Sequence, residues 1–156
     1  MHIYTAGPLG FSEGGRLFHA QIIAILTEFG HSVLDPWAFD PARIAAVSAM
    51  PYGQARRDAW SKLNFEIGKK NIALLDQSDA VLAVLDGVDV DSGTAAEIGY
   101  AYAHQKLILG YRGDFRLAGD NEGSIVNLQV EYFILASGGK IVASLSELRS
   151  VLTGLS

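Results

Sequence analysis

Residues 80–111 read AVLAVLDGVDVDSGTAAEIGYAYAHQKLILGY, and the order of textures along them decides the fold. Ala80–Leu85 is an unbroken apolar run, which suits a strand buried on both faces rather than one with a wet side. Asp86 to Gly93 is acidic and carries two glycines, the composition of a loop. Thr94 to His104 reads as a helix, and Leu107–Tyr111 returns to an apolar strand. A strand, loop, helix and strand in that order call for parallel pairing, because parallel neighbours need a crossover and a helix supplies it.

The same alternation extends towards both ends of the chain. His2–Thr5 is a short strand ended by Gly7-Pro8. Leu17, Ala20, Ile23, Ala24 and Leu26 recur at helical spacing between Arg16 and Phe29, and Gly30 is placed to stop that helix. Ser32–Leu34 is a second strand. Asp35 to Arg56 holds three of the four prolines together with Trp37, Phe39 and Tyr52, so a long loop with one helical turn is expected. Asp58–Leu75 is a helix, Arg112–Gly123 a polar loop and Ser124–Ala136 another helix, with Lys140–Ala143 and Ser146–Leu152 as closing strand and helix. The sum predicts an α/β fold: a flavodoxin-like (Rossmann-like) five-stranded parallel sheet of order 2-1-3-4-5, helices on both faces, in a single domain over residues 1–156. Ligands of such sheets bind beyond the C-terminal strand ends, which selects the loops Tyr4–Arg16, Asp86–Glu97 and Arg112–Asn127.

Composition narrows the function. The chain has no cysteine, which excludes disulfides, Cys-ligated zinc and a thiol nucleophile, and suits the cytosol. A net charge of −5 without any basic block argues against nucleic acid as the partner. Met1–Pro8 lacks a basic segment followed by an apolar run, so no signal peptide is expected, and the apolar stretch Ile72–Leu85 is interrupted by Asp76, Gln77, Ser78 and Asp79 and cannot span a bilayer. No G-x-G-x-x-G fingerprint, G-x-S-x-G elbow or metal spacing among His2, His19, His31 and His104 is present, so neither cofactor nor metal is expected. A small ligand in a cytoplasmic protein remains, and 49% apolar residues favour a subunit interface.

The densest chemistry is Asp86 to Glu97. Glu97, in the first turn of the helix after the acidic loop, faces the ligand crevice as a carboxylate. Two readings stand side by side. Thr94-Ala95-Ala96-Glu97 fits the capping box, in which the two side chains satisfy backbone N–H groups at the helix start; alternatively Glu97 is a nucleophile. Asp86, Asp89 and Asp91 lack the spacing of an EF-hand loop and read as turn residues or, less simply, as ligands of a hard cation.

Four segments are similar to the nucleoside 2-deoxyribosyltransferases: Ile3-Tyr4-Thr5-Ala6-Gly7-Pro8, Asn71 to Val84, Asp91-Ser92-Gly93-Thr94-Ala95-Ala96-Glu97-Ile98-Gly99, and Asn127-Leu128. The D-x-G-x-x-x-E-[IL]-G element is the most specific of them. The resemblance implies a covalent deoxyribosyl–Glu97 intermediate and base exchange with retention, Tyr4 orienting the nucleophile and Asp91 holding the sugar. It implies that Asn127 is donated by a neighbouring subunit, hence a homo-oligomer, a dimer or trimer of dimers. Asn71 stands where the family usually has an aspartate that contacts the leaving base; an amide hydrogen-bonds a base but cannot supply a proton as an acid does. The substrate-binding set is Gly7, Asn71, Asp89, Gly93 and Asn127, with Trp37 and Phe39, and beside them Tyr52, as candidate walls and stacking faces. The substrates implied are a 2'-deoxynucleoside and a free nucleobase.

Two alternatives accompany this. A hydrolase of deoxynucleoside 5'-monophosphates needs a phosphate cradle, for which Ser12, Gly14, Gly15 and Arg16, or Arg112 and Arg116, are candidates. A non-catalytic nucleotide sensor would use the same crevice. Gly93-Thr94-Ala95-Ala96-Glu97 also resembles the G-T-x-x-E end of the cytokinin-activating phosphoribohydrolases, but their preceding P-G-G is missing.

Overall fold

The computed structural model describes residues 1–155, and its sheet is built around β3 (Ala80–Val84), a strand buried at every position. β1 (His2–Ala6) and β4 (Leu107–Tyr111) flank it, β2 (Ser32–Leu34) lies outside β1, and β5 (Ile141–Val142) outside β4. All pairings are parallel, with Thr5 opposite Leu82 and Leu82 opposite Leu109, and the order is the expected 2-1-3-4-5.

Among the described residues there are six α-helices, α1 (Glu13–Glu28), α2 (Pro41–Ser48), α3 (Gln54–Gln77), α4 (Ser92–Ala103), α5 (Leu128–Ala136) and α6 (Leu145–Thr153); five of them cover the two faces of the sheet, and α2 packs on α3. Strand side chains alternate between faces, and each set has its own cluster. Ile3, Leu82, Val84 and Leu109 pack with Ile22, Ile25 and Leu26 of α1 and Leu148 and Leu152 of α6. Tyr4, Val81, Ala83 and Ile108 pack with Leu75 of α3, Ile98 and Ala101 of α4, and Val130 and Ile134 of α5. Among the described residues, no helix is long and apolar enough to cross a membrane.

Helix starts follow side-chain caps. Ser12, Asp40, Asp91, Asn127 and Ser144 each accept a backbone N–H at the start of a helix. Gly30 takes φ +78 just past α1, the left-handed stop that glycine permits.

The largest departure from expectation lies in residues 35–56. The loop holds a full helix, α2, because Asp40 caps it and Pro41 occupies its first turn, where the missing N–H costs nothing. The same proline that reads as loop punctuation is therefore a helix start. α3 begins at Gln54 rather than Asp58 and continues to Gln77; only Leu63 and Leu75 of it are buried, so no apolar periodicity marks its ends. α4 begins earlier than expected, at Ser92, and α5 later, at Leu128, in each case right after its capping side chain.

Gly110 shows how closely the sheet packs. A Cβ there would lie 2.9 Å from Leu85 Cδ1, 3.0 Å from Ile141 Cγ1 and 3.2 Å from Ile134 Cδ1. Gly110→Ala is expected to destabilise the fold by about 1–3 kcal/mol through overpacking, read as a lower denaturant midpoint at unchanged m-value.

Candidate active site

A cleft of about 330 Å³ opens at the C-terminal ends of the strands. Gly7 after β1, Trp37 and Phe39 after β2, Asn64 and Asn71 on α3, and Asp91, Gly93, Thr94 and Glu97 around the start of α4 line it; Phe11, Pro36, Ile44 and Ile67 supply further apolar surface. Two carboxylates, Asp91 and Glu97, are thus set in a wall that is otherwise mainly apolar and amide.

The capping box expected from Thr94 and Glu97 does not form. Asp91 is the cap: its Oδ2 accepts from Thr94 N at 3.0 Å and from Thr94 Oγ1 at 3.1 Å. An aspartate three residues before Thr94 takes the first orphan donors, and the helix starts early enough to move Glu97 from its first turn into its second. Glu97 is left free to reach across to the sheet, where Oε1 accepts from the Tyr4 hydroxyl at 2.6 Å. Tyr4 comes from β1 and is fully buried.

Electrostatics fix the direction of that bond. Burial, together with the adjacent Glu97 charge and hydrogen bond, pushes the Tyr4 hydroxyl far above the usual phenol range, so it stays protonated and donates. Burial raises Glu97 and the Asp91 charge adds to this, while the bond from Tyr4 pulls the other way; the net shift is upward. A half-buried carboxylate that costs energy to ionise, held by a permanent donor and lining a cleft, is a candidate functional group.

Asn71 lines the same cleft, and its Oδ1 is buried without any hydrogen-bond partner, an acceptor left for something that enters. Asn64, Ile67 and Asn71 lie three and then four residues apart, so one face of α3 presents all three. Sequence reasoning missed Asn64, Ile67, Ile44, Phe11 and Pro36. The helical spacing back from Asn71 was the signal for Asn64; α2 was not foreseen, so Ile44 had none.

Two expected residues, Asp89 and Tyr52, lie elsewhere, and Asn127, expected to serve a neighbouring subunit, is also off this chain's own cleft. Asp89 is exposed, off the cleft, and accepts from Val90 N at 2.7 Å. Asn127 does not line this chain's own cleft; its Oδ1 accepts from Gln129 N at 3.1 Å and Val130 N at 3.4 Å as the cap of α5. Tyr52 is 93% exposed and lies under the Arg56 guanidinium. The acidic loop holds no metal-binding group among the described residues: Asp86 accepts from Asp114 N, and Asp89 and Asp91 are engaged as above.

The phosphate candidates are engaged as well. Ser12 Oγ accepts from Gly15 N at 3.0 Å, and Arg16 donates to Gly10 O at 3.1 Å. Arg116 pairs with Asp114. Arg112 is buried and donates to the carbonyls of Leu85, Gly87 and Arg116, tying the loop after β3 to the loop after β4.

Ionisation of Glu97 has a consequence for stability that needs no substrate. Its native carboxyl binds a proton more tightly than the same group does in the unfolded chain, so its contribution is present below the unfolded value and lost as pH rises through the native one. Glu97→Gln, which still accepts from Tyr4, is expected to be more stable than the parent at neutral pH, the gap closing as pH falls below the ordinary glutamate range. Thermal unfolding at several pH values measures this; equal stability at every pH would contradict the burial of a charged Glu97.

The family model described as nucleoside 2-deoxyribosyltransferase matches residues 3–129. Among solved structures, a conserved protein of Enterococcus faecalis is 22% identical with TM-score 0.70, covering 100% of this chain and 99% of its own. A 2-deoxyribosyltransferase of Bacillus psychrosaccharolyticus is 19% identical with TM-score 0.66, covering 97% and 96%. A CMP N-glycosidase of Clostridium botulinum is 19% identical with TM-score 0.60, covering 100% of both chains. At such identities these structures share the fold. A comparison with curated proteins gives no significant match. By the match over most of its length, the chain belongs to the nucleoside 2-deoxyribosyltransferase family.

Proposed function

We propose that the protein exchanges the base of a 2'-deoxynucleoside through a covalent deoxyribosyl–Glu97 intermediate. One observation carries the reading: the Tyr4 hydroxyl bound to Glu97 Oε1 at 2.6 Å in the wall of the cleft. With Oε1 held, Oε2 is the oxygen that attacks C1' of the sugar. The C1'–N bond breaks as the C1'–O bond forms, its electron pair leaves with the base, and the base takes a proton from water. The transition state carries oxocarbenium character, which an anionic carboxylate stabilises before it captures the carbon. A ring nitrogen of the second base then attacks C1', expels Glu97 and loses its proton to water. Two inversions give net retention.

The other residues take supporting roles. Asp91 spends Oδ2 on Thr94, which leaves Oδ1 for a sugar hydroxyl. The unpartnered Oδ1 of Asn71 accepts an N–H of the base, and Trp37 and Phe39 wall the base and exclude water. Water that does enter hydrolyses the intermediate slowly. Asn127, away from its own cleft at the start of α5, serves the sugar of a neighbouring subunit in a homo-oligomer. The enzyme works in the cytoplasm without a cofactor, in nucleoside salvage; a cysteine-free chain suits that compartment. A neutral nucleoside is preferred to its 5'-monophosphate because Ser12, Arg16, Arg112 and Arg116 are all bound within the chain.

Incubation with deoxyadenosine plus cytosine, and separately with deoxyadenosine monophosphate, followed by chromatography, tests this. New deoxycytidine is expected. Adenine released from the monophosphate alone would replace the transferase with a hydrolase, and saturable binding without product would make the protein a sensor. Glu97→Ala is expected to lower kcat by about three orders of magnitude or more. Tyr4→Phe removes the bond that pulls Glu97 down, so the acid limb of the pH–rate profile moves to higher pH.

A further inference from the structure

The cleft wall that carries Trp37 is anchored in part by groups that do not line the cleft: His19, Asp35 and Lys70. His19, on α1, is 8% exposed, and its Nε2 lies 3.0 Å from Oδ1 of Asp35, just past β2. That same oxygen accepts from Trp37 N at 2.9 Å. The indole Nε1 in turn donates to Gly7 O at 3.1 Å, where the chain leaves β1. At the far end of the segment, Lys70 of α3 donates to Ala38 O at 3.2 Å and lies 5.2 Å from the centre of the Phe39 ring. The Trp37 ring meets Phe11 edge-on, with centroids 4.7 Å apart, and fills the space above Gly10, where a Cβ would sit 2.0 Å from it.

Residues 35–39 form neither helix nor strand, so no regular ladder holds them. Within the segment, Ala38 N reaches Asp35 O at 3.3 Å and Trp37 N reaches Asp35 Oδ1; His19, Gly7 and Lys70 restrain it from outside, and the Asp35 carboxylate is where the internal bond to Trp37 and the external one to His19 meet. Asp35 stays ionised in that role: burial pushes its carboxyl up, but the bonds from His19 and the Trp37 amide, with the charges of His19 and Lys70, outweigh this and hold it below the usual range.

We infer that His19 and Asp35 form a positioning pair: by sharing one oxygen between an imidazole and the Trp37 amide, they fix the Trp37–Phe39 wall against which the base lies. The pair sets KM and leaves the chemical step alone. The identity of the bound group rests on the glycosyl-transfer reading above; the geometry of the wall does not. Because the pair acts through hydrogen-bond geometry, Asp35→Asn, which keeps the acceptor and loses the charge, preserves its action.

The test uses a Trp60→Phe background, so that Trp37 is the only tryptophan and its emission reports the wall directly. Acrylamide quenching of Trp37 and the kinetics of base exchange are measured for His19→Ala, Asp35→Ala and Asp35→Asn, well below the thermal transition of each. Both alanine variants are expected to show readier quenching and a KM raised about tenfold with kcat within about twofold, while Asp35→Asn stays within about twofold of the parent. Unchanged quenching in the alanine variants would overturn the inference, as would a loosened Trp37 with unchanged KM or an Asp35→Asn variant as impaired as Asp35→Ala. A lower melting temperature with the parent's KM would make the pair merely structural. If the parent exchanges no base at all, it is the transfer reading that fails, and the quenching of Trp37 still decides whether His19 and Asp35 hold the wall.

Discussion

A single hydrogen bond joins the two halves of the site. Tyr4 comes from β1, beside the centre of the sheet, and Glu97 from α4, and they meet at 2.6 Å although they stand 93 residues apart in the chain. The bond costs two desolvations, of a phenol and of a carboxylate, and each raises the other's proton affinity or lowers it according to charge. The sheet makes the meeting rigid: Tyr4 is locked in a fully buried cluster with Val81, Ala83 and Ile98, the residue that follows Glu97. The bond from Tyr4 holds one carboxylate oxygen of Glu97 against the sheet at the edge of the cleft.

The placement depends on how α4 begins. Asp91 caps the helix, so Thr94 is consumed by Asp91 and Glu97 has no backbone N–H to serve. The acidic loop behind it is held by Arg112, a buried cation whose two terminal nitrogens donate to the carbonyls of Leu85, Gly87 and Arg116. Gly87, at φ +133, adopts a backbone that a side chain would strain. Loop, cap and helix therefore act together to present one carboxylate; of the arginines that a phosphate site would recruit, Arg112 holds that loop, Arg116 is paired with Asp114 and Arg16 donates to Gly10 O.

The sheet was legible because its signal is binary. A continuous apolar run at Ala80–Val84 admits one environment, and alternation of strands with helices then leaves few topologies. Residues 35–56 were opaque because Pro41 carries both a loop signal and a helix-start signal, and only the Asp40 cap, seen in three dimensions, separates them. α3 is amphipathic only weakly, since much of it lies over solvent and cleft rather than core, and its ends carry no apolar mark. At the site, Glu97 and Asp91 stood out through a spaced motif, and Tyr4 through the family resemblance of the first strand. Ile44 and the His19–Asp35 pair were hidden because their meaning lies in convergence from separate elements, which spacing along the chain does not encode.

In the proposed reaction Glu97 becomes bonded to the sugar. Incubating the protein with a 2'-deoxynucleoside in the absence of an acceptor base, quenching in acid and sequencing the peptides by mass spectrometry measures this directly. The expected result is a peptide carrying one deoxyribosyl group on Glu97, which disappears when a second base is added before the quench. An unmodified Glu97 peptide in a reaction that nevertheless exchanges bases, or the group found on another residue, would contradict it.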